Sequence, residues 1–234
     1  MLPDLRETVW RANLALVRSG LVTLSFGNAS GVDREAGVMV IKPSGVPYDV
    51  LQPGQLVVVS LESGEVVEGD LRPSSDTPTH LRLYRAYPEI GGVVHTHSTS
   101  ATSWAQAGRS IPALGTTHAD HFHGAVPVTR QMTDSEVAGE YEAETGGVIV
   151  ETLERLELSA GEMPAVLVAS HGPFTWGRDA QEAAENATAL EAVAAMAIRT
   201  LALDPQVQPM ARYLLERHFR RKHGPGAYYG QARR

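Results

Sequence analysis

The stretch PSSDTPTHLRLYRAYPEIGGVVHTHS, residues 73–98, decides how the rest of the chain is read. A loop, RPSSDTPT (72–79), feeds a helix: Thr77 can cap it and Pro78 suits its first turn, where no N–H is needed. Pro88 lies beyond the helix end, and GVVHTH (92–97) then reads as the clearest strand in the chain. A helix followed closely by an apolar strand is a unit of a layered α/β or α+β domain built on one sheet. Side chains alternate along a strand, so His95 and His97 point to the same face.

Upstream, Asp4 and Glu7 are spaced as a capping box, Leu5, Val9, Ala12 and Leu16 form an apolar stripe, and Gly20 stands where a helix stops. SFGNASGVDREAG (25–37) is polar and glycine-bearing; VMVI (38–41) and LVVVS (56–60) read as strands. Downstream, residues 111–130 are irregular, and Thr133 with Glu136 opens a helical region that breaks near Gly146-Gly147. AVLV (165–168) is a strand running into SHGP (170–173). Asp179 with Glu182 caps a long amphipathic helix, and another passes through Leu214, Leu215 and Phe219. The strands are too few and too unevenly spaced for an eight-fold barrel.

Composition narrows the chemistry. With no cysteine among 234 residues, thiolate metal sites, disulfides and cysteine nucleophiles are excluded. Only Lys42 and Lys222 could form a Schiff base. The net charge of −7 does not invite nucleic acid. Residues 209–234 are the exception, with seven basic residues against Glu216 alone. This end, with Tyr228-Tyr229, reads as a solvated tail or a subunit contact. Residues 183–203 are apolar but interrupted by Glu185, Asn186, Glu191 and Arg199, which argues against a membrane span. No basic start with an apolar core is visible at the N-terminus, so the chain reads as cytoplasmic.

His95, His97 and His171 stand at strand ends, and three imidazoles match a catalytic zinc that keeps one position open. Gly27-Asn28, Ser44-Gly45 with Lys42 beside it, and Ser74-Ser75 each offer small loops with free N–H groups where an anion could sit. Each, taken singly, also reads as an ordinary turn. Asp76, Asp120 and Glu142 are nearby carboxylates, and spacing alone does not choose a base among them.

Taken together, GNASGVDREAGVMVIKPSGVPYDVL (27–51), residues 73–98, GTTHADHFHG (115–124), SHGPFTWG (170–177) and KHGPGAYYGQ (222–231) closely resemble the class II aldolase and epimerase family. The likeness spans essentially the whole chain and is closest to the epimerase branch. It implies a single three-layer α/β/α domain, 1–234, around a mainly antiparallel sheet, in a homotetramer with a metal site near each interface. It assigns His95, His97 and His171 to zinc or another divalent metal, with Asp76 as a fourth ligand or neighbour. It assigns Gly27, Asn28, Lys42, Ser44, Gly45, Ser74 and Ser75 to the phosphate of a sugar-phosphate substrate. Asp120 and Tyr229 map onto an acid/base pair, His218 onto a residue approaching substrate, and residues 209–234 onto a segment reaching a neighbouring subunit. Two departures stand out: His121 and His123 replace tyrosines, and Phe26 replaces a tryptophan. The nearest alternative is an aldolase on the same fold, which would use the same metal and release its products. A non-catalytic module like the adducin head is disfavoured, because the metal histidines are all present.

Overall fold

The computed structural model describes residues 2–224 and 226–228. Among them seven strands form one sheet: β1 (Asn28–Asp33), β2 (Val38–Ile41), β3 (Val57–Ser60), β4 (Val66–Glu68), β5 (Gly92–His95), β6 (Ala165–Val168) and β7 (Gly172–Gly177). Their order is β4-β3-β2-β1-β5-β7-β6, and every pairing is antiparallel.

Alternation along the strands builds a core on each face of the sheet. In β2, Val38 and Val40 pack with Val9, Ala12 and Leu16 of α1 (Pro3–Arg18), while Met39 and Ile41 pack with Leu83 and Tyr84 of α2 (Thr77–Ala86). Behind the sheet on the first face run α3 (Thr99–Gln106) and α7 (Ala180–Leu203) beside α1; on the second, α2 lies against α6 (Tyr141–Arg155). These are the three layers expected. Two short helices, α4 (Thr116–Ala119) and α5 (Asp134–Ala138), a 3-10 turn at Pro53–Gln55 and α8 (Arg212–His223) complete the elements among the described residues.

Helix α7 is long and apolar enough by length and composition to cross a membrane. Its Ala183, Ala187, Leu190, Ala194 and Ala197 are instead buried against the sheet and α3, as a core helix requires.

Four local expectations are corrected. The polar stretch 25–37 contains β1, which lies between β2 and β5. Its small residues fit because α1 presses on it: a Cβ at Gly31 would meet Val9 Cγ2 at 2.8 Å. The Asn13 side chain also grips the Ala29 backbone, accepting from its N–H at 2.9 Å and donating to its C=O at 3.1 Å. Helix α1 begins at Pro3 after Leu2, so Asp4 sits inside the first turn, where it favours the dipole without capping. Helix α2 starts one residue earlier than expected, with Asp76 at the N-cap position and Thr77 bonded back to Ser74. Helix α6 runs unbroken through Gly146-Gly147, because α2 packs so close that a Cβ at Gly146 would stand 2.6 Å from Arg82 Cβ. The Thr133–Glu136 box, the Asp179 cap and the stop at Gly20 are present as expected.

Candidate active site

The site starts at the end of β5. His95 Nε2 and His97 Nε2 lie 3.0 Å apart. The His95 ring stacks on Phe174 of β7 at 4.2 Å, and its Nδ1 donates to the Pro173 carbonyl at 3.0 Å. A carbonyl only accepts, so Nδ1 carries the proton in this bond, and Nε2 is the nitrogen that faces His97. The turn between β6 and β7 delivers the third ring. Ser170 adopts φ 60°, and His171 comes to 4.7 Å from the His95 ring and 5.2 Å from that of His97. One nitrogen from each of the three lies within 4.8 Å of the others.

Burial lowers His171 to about 4, helped by His95 and His97; burial and then His95 also lower His97, with Asp76 opposing. Both rings are therefore neutral near pH 7, the form that ligates metal. The donor set, one nitrogen from each of three histidines within 4.8 Å of one another, fits a divalent metal with an open position.

Beside the trio lies Asp76 at the start of α2. Its carboxylate accepts from Asn28 Nδ2 at 2.6 Å. Burial opposes its ionisation, but the neighbouring His95 and His80 and the Asn28 bond prevail and hold it below the usual carboxylate range.

The anion-binding candidates converge on the same place. Two loops are held side by side, Ser44 N–H donating to Arg72 O at 2.9 Å and Ser74 N–H to Lys42 O at 3.0 Å. Gly27, at φ 84°, passes so near β5 that a Cβ would be 2.8 Å from His95 O. Lys42 is 2% exposed, lies 4.7 Å from the Tyr48 ring centroid, and is lowered to about 8 by burial. Gly27, Asn28, Lys42, Ser44, Gly45, Ser74, Ser75 and Asp76 share one cavity of about 380 Å³ with the three histidines. Glu142, Phe26 and Tyr141 also line it; Tyr141 carried no sequence signal, because only the packing of α6 on α2 brings it there.

Asp120 and His218 are not among the residues lining this cavity. Asp120 follows α4 and binds α8 instead, through Arg221 at 2.7 Å and His218 Nδ1 at 3.1 Å. Burial opposes its charge, yet the Arg221 and His218 bonds keep its pKa low. His121 lies in a second cavity of about 780 Å³ with Lys222 and His223. His123 spans Glu162 and Glu216 at 3.1 and 3.0 Å. Tyr229 lies outside the described residues.

The fold thus sets a histidine trio able to hold a divalent metal in one cavity with small loops and a buried lysine. Residues 7–198 match the family described as Class II Aldolase and Adducin N-terminal domain, and the chain belongs to that family. An L-fuculose 1-phosphate aldolase structure is 25% identical, with a TM-score of 0.76 over 92% of this chain and 94% of its own. YgbL from Escherichia coli, whose description leaves aldolase, epimerase and decarboxylase open, is 29% identical, with a TM-score of 0.72 over 92% and 97%. The L-fuculose 1-phosphate aldolase of Glaciozyma antarctica PI12 is 19% identical, with a TM-score of 0.76 over 96% and 84%, and shares the fold.

Proposed function

We propose that the chain is a cytoplasmic, zinc-dependent L-ribulose-5-phosphate 4-epimerase of L-arabinose catabolism, interconverting L-ribulose 5-phosphate and D-xylulose 5-phosphate. The observation that carries this reading is the single cavity in which a buried lysine and three small loops adjoin a histidine trio. Its volume of about 380 Å³ suits a pentulose phosphate.

The C4 hydrogen of such a substrate is one carbon too far from the ketone to be acidic. Inversion therefore proceeds by breaking C3–C4, turning the aldehyde fragment and re-forming the bond. The phosphate rests against Lys42 and the backbone N–H groups around Gly45 and Ser75, which keeps the fragment from leaving and makes recombination intramolecular. His95, His97 and His171 would hold the metal, which would supply the Lewis-acid charge for the electron pair left on the ketone fragment. Asn28 and Ser74 keep Asp76 oriented beside them. Asp120 and Tyr229 would take and return the C4 hydroxyl proton on opposite faces. In a homotetramer, residues 209–234 with Tyr229 would reach the site of a neighbouring subunit; within its own chain Asp120 lies outside the cavity and is bonded to α8. Asp76 after the serine pair, Asp120 and the Tyr-Tyr-Gly-Gln end favour the epimerase.

The second reading, an aldolase, is favoured by the likeness to the L-fuculose 1-phosphate aldolase at 25% identity. Interconversion of the two pentulose phosphates, run with and without zinc while free aldehyde is monitored, separates the two. Epimerisation without aldehyde build-up is expected; steady aldehyde accumulation would turn the case to the aldolase.

A further inference from the structure

Two of the three histidines have a neighbour at Nδ1, and the two neighbours differ in kind. His95 is fixed by the backbone, its Nδ1 donating to Pro173 O at 3.0 Å. His171 sits on a tight turn, its own N–H bonded to Val168 O at 3.0 Å, and the neighbour of its Nδ1 is the Tyr141 hydroxyl at 3.4 Å. We propose that Tyr141 is a positioning residue for the metal centre: its hydroxyl accepts the Nδ1 proton of His171 and leaves Nε2 as the free ligand nitrogen. This rests on the reading of the trio as a metal site.

The geometry makes Tyr141 suited to the task. A neutral imidazole has two tautomers, and only the one protonated away from the metal can ligate through the nitrogen that faces it. Outer partners of metal-binding histidines select that tautomer and hold the ring plane. Tyr141 is the first residue of α6, and the next residue is clamped to α2, Thr79 Oγ1 donating to Glu142 O at 2.5 Å. The same helix α2 carries Asp76 at its start. Close packing at Gly146 locks α6 on α2, so the hydroxyl and the carboxylate belong to one rigid frame. The turn bearing His171 is tied separately, Gln131 Nε2 donating to Ser170 Oγ at 2.9 Å. Tyr141 thus bridges the α2–α6 frame to the turn that delivers the third ligand. Having accepted from His171, the hydroxyl keeps its own proton, which it can offer into the cavity it lines.

The experiment compares the full chain with Tyr141→Phe, which keeps the ring and the packing. Zinc affinity is measured by competition with a chromogenic chelator, and the ring-nitrogen shifts of His171 are recorded by NMR on zinc-free protein. The wild type should show a single tautomer protonated at Nδ1. The variant should show a mixture and bind zinc about 10- to 100-fold more weakly, the range seen when outer partners of metal ligands are removed. Equal zinc affinity in the two proteins, or a wild-type His171 unprotonated at Nδ1, would overturn the inference. A wild-type chain that binds no zinc would overturn the metal reading itself, and the ring shifts would still decide the hydrogen bond.

Discussion

The Asn28 amide donates to the Asp76 carboxylate across 2.6 Å, and the same nitrogen reaches Ser74 Oγ at 3.0 Å. One buried side chain thus joins the anion loops to the carboxylate beside the histidines. If this amide couples the two halves of the cavity, its removal disturbs both.

Asn28→Ala tests that coupling. A hydrogen bond to a charged group is worth about 1.5–3 kcal/mol, or about 10- to 150-fold. We expect kcat/KM to fall by that factor, with KM and kcat both affected. Steady-state kinetics that showed only a higher KM would confine Asn28 to the anion loops.

Lys42 sets a pH dependence. Burial lowers its pKa to about 8, so the ammonium is present below that pH and lost above it. Affinity for a phosphorylated substrate should therefore weaken as pH rises through about 8. The check is KM from pH 7 to 9, with Lys42→Met as control: the variant should start with a high KM and show no such rise.

Asp120→Asn and Tyr229→Phe should each slow epimerisation by about 10²- to 10⁴-fold, the usual worth of a positioned proton carrier. Zinc binding should be unchanged, since Asp120 contacts α8 and not the trio. Chelator competition with parallel rate measurements checks both halves; a variant that loses zinc instead would place Asp120 in the metal site's support.

Gly146→Ala should destabilise the fold by about 1–3 kcal/mol, the usual penalty for overpacking. The added methyl would sit 2.6 Å from Arg82 Cβ and 3.2 Å from Thr79 O. Urea unfolding measures it. An unchanged midpoint would mean that α2 yields without cost.

That glycine also shows what a sequence hides. Gly146-Gly147 has the local look of a break, and only the approach of α2 explains why α6 continues through it. Strand β1 was hidden for a related reason: Asn28-Ala-Ser-Gly lacks branched or aromatic residues, and its place is fixed by α1 and Asn13. Where the signal is local, as in the Asp179 cap or the valine run of β3, the sequence suffices. The site divides the same way. His95 and His97 were legible from their two-residue spacing, although the strand expected over 92–97 ends at His95 and His97 lies just beyond it, and the loops from their glycines and serines. Tyr141 was not, because helix packing across residues distant in sequence brings it to the cavity.

His80 should make the fold acid-labile. It is fully buried on α2, its Nδ1 2.7 Å from Ser30 Oγ, which also meets Tyr84 at 2.8 Å. Its Nε2 has no hydrogen-bond partner among the described residues, so a proton placed there would be stranded. Burial lowers the pKa from 6.5 to about 3. Between those values the unfolded chain binds a proton that the folded chain refuses. Stability therefore rises with pH through this window and is lost as pH falls through it, by up to about 1.4 kcal/mol per pH unit for the one group. Urea midpoints at pH 7, 6, 5 and 4 should fall steadily for the wild type and less steeply for His80→Phe. Equal slopes in the two proteins would remove His80 as the source and leave the lability to His121 and His171, whose pKa values burial also lowers to about 4.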